Sequence, residues 1–229
     1  MGISDIRWLF VNDGSTDNTS KLLTELSESS SVDVLSFSVN RGKGEAIRAG
    51  MLWAFGQSRT SIDCLGFMDA DGAFCRPDID NMILRARELC ESGTVDAVWS
   101  SRVALAGRDI RRSVSRHYIG RVVATYLSIG VDSLPYDTQS GLKLFCGSSE
   151  LRQSIEQPFS TRWLFEVELL TRWAQVTGRP MGIREEPLES WQDVDGSSIS
   201  LRESARIARE LLRVKRMQLM ARHSVGRVL

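Results

Sequence analysis

Hydrophobic positions follow two different spacings along the first half of the chain. Short apolar runs, typical of strands, lie at 6–11, 32–39, 64–68 and 97–100. Between them, apolar residues recur at helical spacing in 16–29, 45–57 and 79–91. Strands that alternate with helices predict an α/β fold, in which helices cover both faces of a mostly parallel central sheet. The run at 64–68 is apolar throughout, which predicts a central and buried strand.

The second half of the chain is less regular. Strands are predicted at 141–145 and 183–188, and helices at 118–129, 165–176 and from 200 to about 220. No repeat, low-complexity segment or linker interrupts the 229 residues, so we expect a single domain over 1–229.

Composition excludes several classes of protein. The apolar fraction of 42%, the charged fraction of 25% and the net charge of zero are ordinary for a globular protein and favour no nucleic-acid partner. No run of about 18 apolar residues exists, and the first ten residues do not resemble a signal peptide. We therefore expect a cytoplasmic protein that contacts a membrane, if at all, from the cytoplasmic side.

The cysteines give a further expectation about the compartment. None of the four (Cys64, Cys75, Cys90 and Cys146) forms a C-x-x-C pair, which argues against a structural zinc site. Since a domain of this size needs no disulfide, we expect all four to be reduced thiols.

Polar clusters follow the predicted strands at the positions where α/β proteins bind ligands, outside the strands' carboxyl ends. The first cluster is Asn12-Asp13-Gly14-Ser15-Thr16-Asp17, which suits a nucleobase or ribose, although a turn that caps a helix also explains it. The second is Asn40-Arg41-Gly42-Lys43-Gly44, which precedes a helix whose N-terminus favours anions. A solvated basic turn is the alternative for this second cluster.

The third cluster, Asp69-Ala70-Asp71-Gly72, is the strongest indication of chemistry. Two carboxylates so close after an apolar strand are costly without a cation. Mg²⁺ or Mn²⁺, with a diphosphate as co-ligand, is the natural partner. The same D-x-D-G string opens the haloacid dehalogenase phosphatases, but the late G-D-x-x-x-D string of those enzymes is missing here.

Together the clusters resemble family 2 glycosyltransferases of the GT-A fold, and within them the dolichyl- or polyprenyl-phosphate glucosyltransferases. Seven segments match in the family's order, which is far more specific than any one of them. They are 11–17, 40–44 with 46 and 50–51, 69–73, 100–102, 137–145, 162–170 and 191–197.

The resemblance implies roles for residues of the donor site. Asp13 would contact the pyrimidine base or ribose, and Lys43 would lie beside the nucleotide. Asp69 would touch ribose or metal, and Asp71 would bind the metal that bridges the diphosphate. Residues 1–103 would then form the nucleotide-binding half, 104–197 the acceptor half and 198–229 a basic amphipathic helix.

Arginines and two further acids complete the implied site. Arg102, with Arg112 or Arg116, would neutralise phosphates of donor or acceptor, unless the basic run 108–121 is only a solvated loop. Glu166 aligns with the aspartate base of members that use hydroxyl acceptors, and Asp137 is the other candidate base. Either acid could instead position a loop.

The implied reaction is an inverting transfer of a sugar, glucose in this subtype, from a UDP-sugar to a polyprenyl phosphate. Such a phosphate is already anionic and needs no general base. Transfer to a soluble sugar or small-molecule hydroxyl is one alternative, and a catalytically inactive binding module is another. Trp163 and Trp191 suit an acceptor platform or a core equally well.

Two features depart from the family pattern. The family's first strand, with its P-x-x-N-E motif, has no counterpart before 3–11, so we expect two open strand edges and a reduced base pocket. A misassigned start, a degenerate donor site or another segment in the gap would each explain this.

The second departure is the C-terminal segment. Residues 201–229 carry eight basic and two acidic side chains, a net charge of +6, on an amphipathic pattern. This helix could lie on an anionic membrane or pack on the domain with a solvated basic face.

Overall fold

The computed structural model describes residues 6–30, 32–57, 62–112, 114–129, 134–192 and 201–225. The side chains of 114–119, 201–205 and 222–225 are outside the described part. The strands are β1 (Trp8–Asn12), β2 (Val32–Ser36), β3 (Cys64–Met68), β4 (Ala97–Ser101), β5 (Asp109–Arg111), β6 (Leu142–Cys146), β7 (Ile183–Pro187) and β8 (Ser190–Gln192). The helices are α1 (Thr19–Ser29), α2 (Lys43–Gln57), α3 (Arg76–Glu91), α4 (Val114–Ser128), α5 (Ser149–Ser154), α6 (Phe165–Thr177) and α7 (Leu201–Val225).

The α/β class is confirmed, and the predicted elements occur with shifts of a few residues at their ends. Only β5, β8 and α5 had no counterpart in the sequence prediction. Each has three to six residues, too few for a helical or alternating pattern to stand out.

The main sheet is mixed. Its four strands follow the order β3-β6-β4-β7, in which β4 and β7 are parallel while β6 runs antiparallel to both of its neighbours. Two parallel pairs, β1-β2 and β5-β8, stand apart from it. The antiparallel β6 brings its first residues to the edge where β3 and β4 end, and this is the edge that carries the candidate site.

The prediction that 64–68 forms a central strand is wrong. Within the described residues β3 is an edge strand, paired only with β6, and β1 is likewise paired only with β2. In the described part of the chain, β1 and β3 each have one unpaired edge, as expected from the sequence, and helix α2 contacts both strands. Among the described strands, β4 is the one whose five residues are all buried.

Alternate residues of β4 supply two hydrophobic cores on opposite faces of the main sheet. Trp99 packs on one face with Phe145 and with residues of α2, α5 and α6. Val98 packs on the other face against Met82 of α3. Ser100 and Ser101 complete β4, and they are buried but uncharged. The Ser100 hydroxyl is satisfied by Ser140 and by the carbonyl of Leu142.

Helix α7 packs on the domain. Val214 and Ala221 are buried, and the Lys215 ammonium donates to the backbone carbonyls of Tyr126 on α4 and of Ile129 directly after it. The opposite face of α7 is exposed at Leu212 and Met220. No helix in the described part of the chain has the length and apolar character needed to cross a membrane.

The expectation that all cysteines are reduced is wrong for two of them. Cys90 and Cys146 form a disulfide, while Cys64 and Cys75 are free. Helix α3 packs on β6, which brings together two residues that are 56 positions apart in sequence. Spacing along the chain carries no record of such a contact. Burial raises the pKa of the free Cys64 thiol to about 11, which keeps it protonated.

The disulfide predicts a measurable stabilisation. Cys146→Ser should lower the free energy of unfolding by about 2–4 kcal/mol, because the crosslink constrains the unfolded chain over a long loop. Urea denaturation followed by circular dichroism measures this change. Cys75→Ser, which removes a free thiol, is the matched control and should leave the midpoint nearly unchanged. Equal midpoints for the two variants would contradict the pairing.

Candidate active site

Asp13, directly after β1, holds the loop that precedes α2. Its two carboxylate oxygens accept hydrogen bonds from the backbone N–H groups of Arg41 (2.7 Å) and Gly42 (2.8 Å). Gly42 has a φ of +96°, and a Cβ at this position would lie 2.4 Å from Nε of Arg162. Only glycine fits there. The first two predicted clusters are therefore in contact, and the contact of Asp13 with a base or ribose stays a prediction.

Lys43 joins the second cluster to the third. Its ammonium lies 2.8 Å from each carboxylate oxygen of Asp69, and the two side chains are 41% and 31% exposed. The backbone N–H of Asp69 donates to the carbonyl of Gly141 (2.8 Å). A Cβ on Gly141 would lie 2.3 Å from Oδ2 of Asp69, so the loop before β6 approaches as closely as glycine allows.

Asp71 is exposed, and of the two predicted metal ligands its carboxylate has fewer contacts within the protein. Its Oδ1 accepts one hydrogen bond, from the backbone N–H of Ala73 (3.1 Å). In the described part of the chain, no three acidic, histidine or cysteine side chains come together as a complete metal cage. Two carboxylates at a solvent-facing edge fit Mg²⁺ or Mn²⁺, which take their remaining ligands from phosphate and water.

Arg102 and Asp137 form a buried, two-pronged ion pair. Nε and Nη2 of Arg102 each lie 2.7 Å from a carboxylate oxygen of Asp137, and the Arg102 backbone N–H donates to the same carboxylate. Glu185 in turn accepts the backbone N–H groups of Tyr136 and Asp137. Asp137 is 6% exposed. These contacts fix the loop before β6 to the residue that follows β4 and to the middle of β7.

The pairing decides the charge of Asp137. Burial by itself would raise the pKa of this carboxyl, but the hydrogen bonds and charge of Arg102 outweigh it and lower the pKa to about 2. A carboxylate with this pKa holds no proton near neutral pH and is a weak base.

The structure says less about the environments of the other two predicted arginines, Arg112 and Arg116. Arg112 is half-buried and its charge also lowers the pKa of Asp137. The side chain of Arg116 lies outside the described residues. The basic run 108–121 is not a loop, because it covers β5 and the first half of α4. Its contact with phosphates stays a prediction.

Glu166 is buried beside a lysine. Its Oε1 lies 3.1 Å from the ammonium of Lys143, which also donates to the carbonyls of Thr138 (3.0 Å) and Ser140 (2.6 Å). Glu166 is 2% exposed and Lys143 is 0% exposed. Burial lowers the pKa of Lys143, and the charge of Glu166 opposes that change. The contacts of Glu166 are those of a carboxylate that neutralises a buried cation.

The two tryptophans have different environments. Trp191 is 7% exposed and packs edge-on against Phe74, with the Arg102 guanidinium over its ring. Trp163 is 47% exposed. Trp191 therefore belongs to the core, and Trp163 is the one available to a ligand. The matching residues 193–197 lie outside the described part of the chain.

Sequence reasoning missed the roles of two residues at this edge. Lys143 is the only charge in an apolar strand, and that contrast was a usable signal. Arg162 donates from Nη2 to Oδ1 of Asn40 (2.7 Å) across 122 positions of sequence. No local pattern indicates such a contact.

Comparison with known proteins identifies one matching family and several curated relatives. A family model described as Glycosyl transferase family 2 matches residues 2–130. Dolichyl-phosphate beta-glucosyltransferase of Saccharomyces cerevisiae is 30% identical over 93% of this chain and 66% of its own length. The Drosophila melanogaster protein of the same name is 33% identical over 84% of this chain and 57% of its own length. The chain thus spans about two thirds or less of these curated relatives.

A solved structure shows the fold. Glucosyl-3-phosphoglycerate synthase from Mycobacterium tuberculosis, crystallised with Mn²⁺, UDP-glucose and phosphoglyceric acid, aligns with a TM-score of 0.58. The alignment covers 93% of this chain and 67% of that one, at 19% identity. The GT-A fold expected from the sequence is confirmed.

The Arg102–Asp137 pair predicts a defined pH dependence. Asp137→Asn should lower the free energy of unfolding at neutral pH by about 2 kcal/mol, the equivalent of the lowered pKa. Because the folded pKa lies below the ordinary value of 3.8, this stabilisation is complete above about pH 4 and is lost as the pH falls toward 2. Urea melts of wild type and variant between about pH 2 and 8, a range that includes the whole of that window, measure the difference.

Asp80→Asn provides the matched control, since the Arg76–Asp80 pair is largely exposed. Exposed pairs of this kind contribute about 1 kcal/mol or less. A stability difference for Asp137→Asn that grows below pH 4 would contradict the assigned sign.

Proposed function

We propose that this chain, which belongs to glycosyl transferase family 2, transfers a glucosyl group from UDP-glucose to a polyprenyl phosphate. The observation that carries the proposal is the contact chain from Asp13 through the loop before α2 and Lys43 to Asp69. It brings three loops of the matched segments into contact, one after β1, one before α2 and one after β3. The names of the curated relatives support the acceptor and the sugar, and the ligands of the solved structure support the donor.

In this proposal the chain divides by substrate. Residues 1–103 form the nucleotide-binding half, 104–197 the acceptor half, and 198–229 a basic helix. Asp13 contacts the base or ribose, and Lys43 lies beside the diphosphate. Asp69 and Asp71 would hold Mg²⁺ or Mn²⁺, which supplies positive charge at the leaving diphosphate.

The proposed chemistry is a single displacement with inversion. An oxygen of the acceptor phosphate attacks the anomeric carbon of glucose from the face opposite UDP. The new carbon–oxygen bond forms as the bond to the β-phosphate oxygen breaks, and the electron pair leaves with UDP. The protein's part is to orient the two substrates and to stabilise the charge that develops on UDP.

The ion pairs of the two candidate bases favour a phosphate acceptor. Asp137 is held by Arg102, and Glu166 is buried against Lys143. We propose that both acids position the loop before β6 and that neither accepts a proton. A phosphate oxygen is anionic near neutral pH and needs no base, whereas a sugar hydroxyl must lose a proton.

A lipid acceptor also calls for access to a membrane. The exposed face of α7 combines Leu212 and Met220 with Arg213 and Arg216. Apolar side chains flanked by arginines suit the surface of an anionic membrane. Peripheral contact with the cytoplasmic face is therefore part of the proposal.

Removing a proposed metal ligand tests the donor site. Asp71→Asn should weaken Mn²⁺-dependent binding of UDP by more than about tenfold, because a carboxylate ligand is lost. Calorimetric titration of UDP with and without Mn²⁺ measures this. Asp63→Asn, at the opposite end of β3, is the matched control and should bind as wild type does. If the wild-type protein binds UDP equally well without Mn²⁺, the proposed metal site is wrong.

Product analysis tests the acceptor class. With UDP-glucose and Mn²⁺, we expect a glucosylated product from polyprenyl phosphate and none from free sugars or small alcohols. A glucosylated hydroxyl product in place of the lipid product would reject the phosphate acceptor and support the soluble-acceptor alternative. Absence of both products, together with absence of UDP binding, would support an inactive binding module.

A further inference from the structure

The segment 160–164, between α5 and α6, has its backbone fixed by two carboxylates. Glu168 on α6 and Glu210 on α7 together accept the N–H groups of five consecutive residues. The donors to Glu168 are Ser160 and Thr161, and the donors to Glu210 are Arg162, Trp163 and Leu164, at 2.9–3.3 Å. Two helices, α6 and α7, therefore hold the backbone of one short loop.

Both carboxylates are deeply buried, which makes this arrangement costly unless it is fully bonded. Glu168 is 0% exposed and also pairs with Arg172 (2.7 Å), and Glu210 is 6% exposed. A buried carboxylate that lost its donors would remain as an uncompensated charge. The segment is consequently held in one backbone conformation, and its side chains project from a rigid support.

The side chain that this support delivers to the candidate site is that of Arg162. Its guanidinium reaches the loop before α2, where Nη2 bonds Oδ1 of Asn40 and Nε lies against Gly42. The same loop is held by Asp13 and carries Lys43. Arg162 therefore approaches the proposed donor site from the opposite half of the domain.

Most N–H groups of the Arg162 guanidinium make no hydrogen bond to the described residues. The guanidinium is exposed, and among the described residues it makes one hydrogen bond, to Asn40, and forms an ion pair with no carboxylate. Two other arginines of the described part differ. Arg48 is paired with Glu45, and Arg102 is paired with Asp137. Most of the five N–H groups of Arg162 thus remain for an anionic ligand.

We propose that Arg162 binds a phosphate group of the substrate and that Glu210 on α7 positions it. The inference rests on the proposed function, which places phosphates of donor and acceptor at this edge. Arginine offers a planar fork of donors that matches phosphate oxygens, and its charge is permanent. The shared ligand chemistry is a phosphate monoester or diphosphate, from UDP or from the polyprenyl phosphate.

Arg162→Gln in the full chain tests the proposal. Calorimetry in Mn²⁺ should show affinity for UDP reduced about tenfold or more, and affinity for uridine changed by less than about twofold. If UDP affinity is instead unchanged while KM for farnesyl phosphate rises about tenfold with KM for UDP-glucose constant, the phosphate is the acceptor's. Arg162→Lys, which keeps the charge and loses the fork, should fall between wild type and Arg162→Gln.

Two further variants separate binding from structure. Arg152→Gln, at the exposed end of α5, is the matched control and should leave all constants unchanged. Glu210→Gln should weaken the same phosphate step as Arg162→Gln and leave uridine binding intact. The effect of Arg162→Gln should be smaller in that background, because a misplaced arginine has less binding to lose.

The proposal is overturned if Arg162→Gln leaves UDP affinity and both KM values at wild-type levels, or if it weakens uridine and UDP equally. Titration with inorganic pyrophosphate tests Arg162 separately from the proposed function. If wild type binds pyrophosphate but no uridine nucleotide, the donor assignment fails while a loss in Arg162→Gln still supports the phosphate contact. If wild type binds no pyrophosphate and no UDP, both fail.

Discussion

The ammonium of Lys143 lies in the middle of the main sheet with none of its surface exposed, and its neighbours must satisfy it completely. The ammonium donates to Glu166 on α6 and to two carbonyls of the loop before β6. Phe67 and Trp99 present their rings to it from the adjacent strands. Since an unpaired buried charge costs several kcal/mol, about 3–5 in measured cases, these groups are confined to one arrangement.

That arrangement extends to the whole candidate site. The loop fixed by Lys143 ends at Gly141, whose carbonyl binds the backbone of Asp69, and Asp69 holds Lys43. Helix α6, which supplies Glu166, begins directly after the segment that carries Arg162. One buried cation therefore links α6, the loop before β6 and, through that loop, the residues that follow β3. Packing of α7 adds a second link, because Glu210 binds the same segment from outside.

Carboxylates satisfy much of the loop backbone at this edge. Asp13, Glu185, Glu168 and Glu210 each accept N–H groups that no strand or helix could bond. Loops with exact functional geometry need such partners, since an unsatisfied buried N–H is costly. The acids serve two purposes here. The four named acids shape the loops, whereas exposed Asp71 accepts a bond from Ala73 in its own loop and is the carboxylate proposed to bind the metal.

The sequence by itself determined the α/β class, the order of the long elements, the resemblance to family 2 glycosyltransferases and the position of Asp69 and Asp71 after a strand. These features depend on spacing within a few residues or on the order of motifs. Tertiary structure decided which charged groups are already paired. Asp137 meets Arg102 across 35 positions, Glu166 meets Lys143 across 23, and Arg162 meets Asn40 across 122. The disulfide and the edge position of β3 are of the same kind. Each depends on which elements pack side by side, and hydrophobic periodicity records only which face of an element is buried.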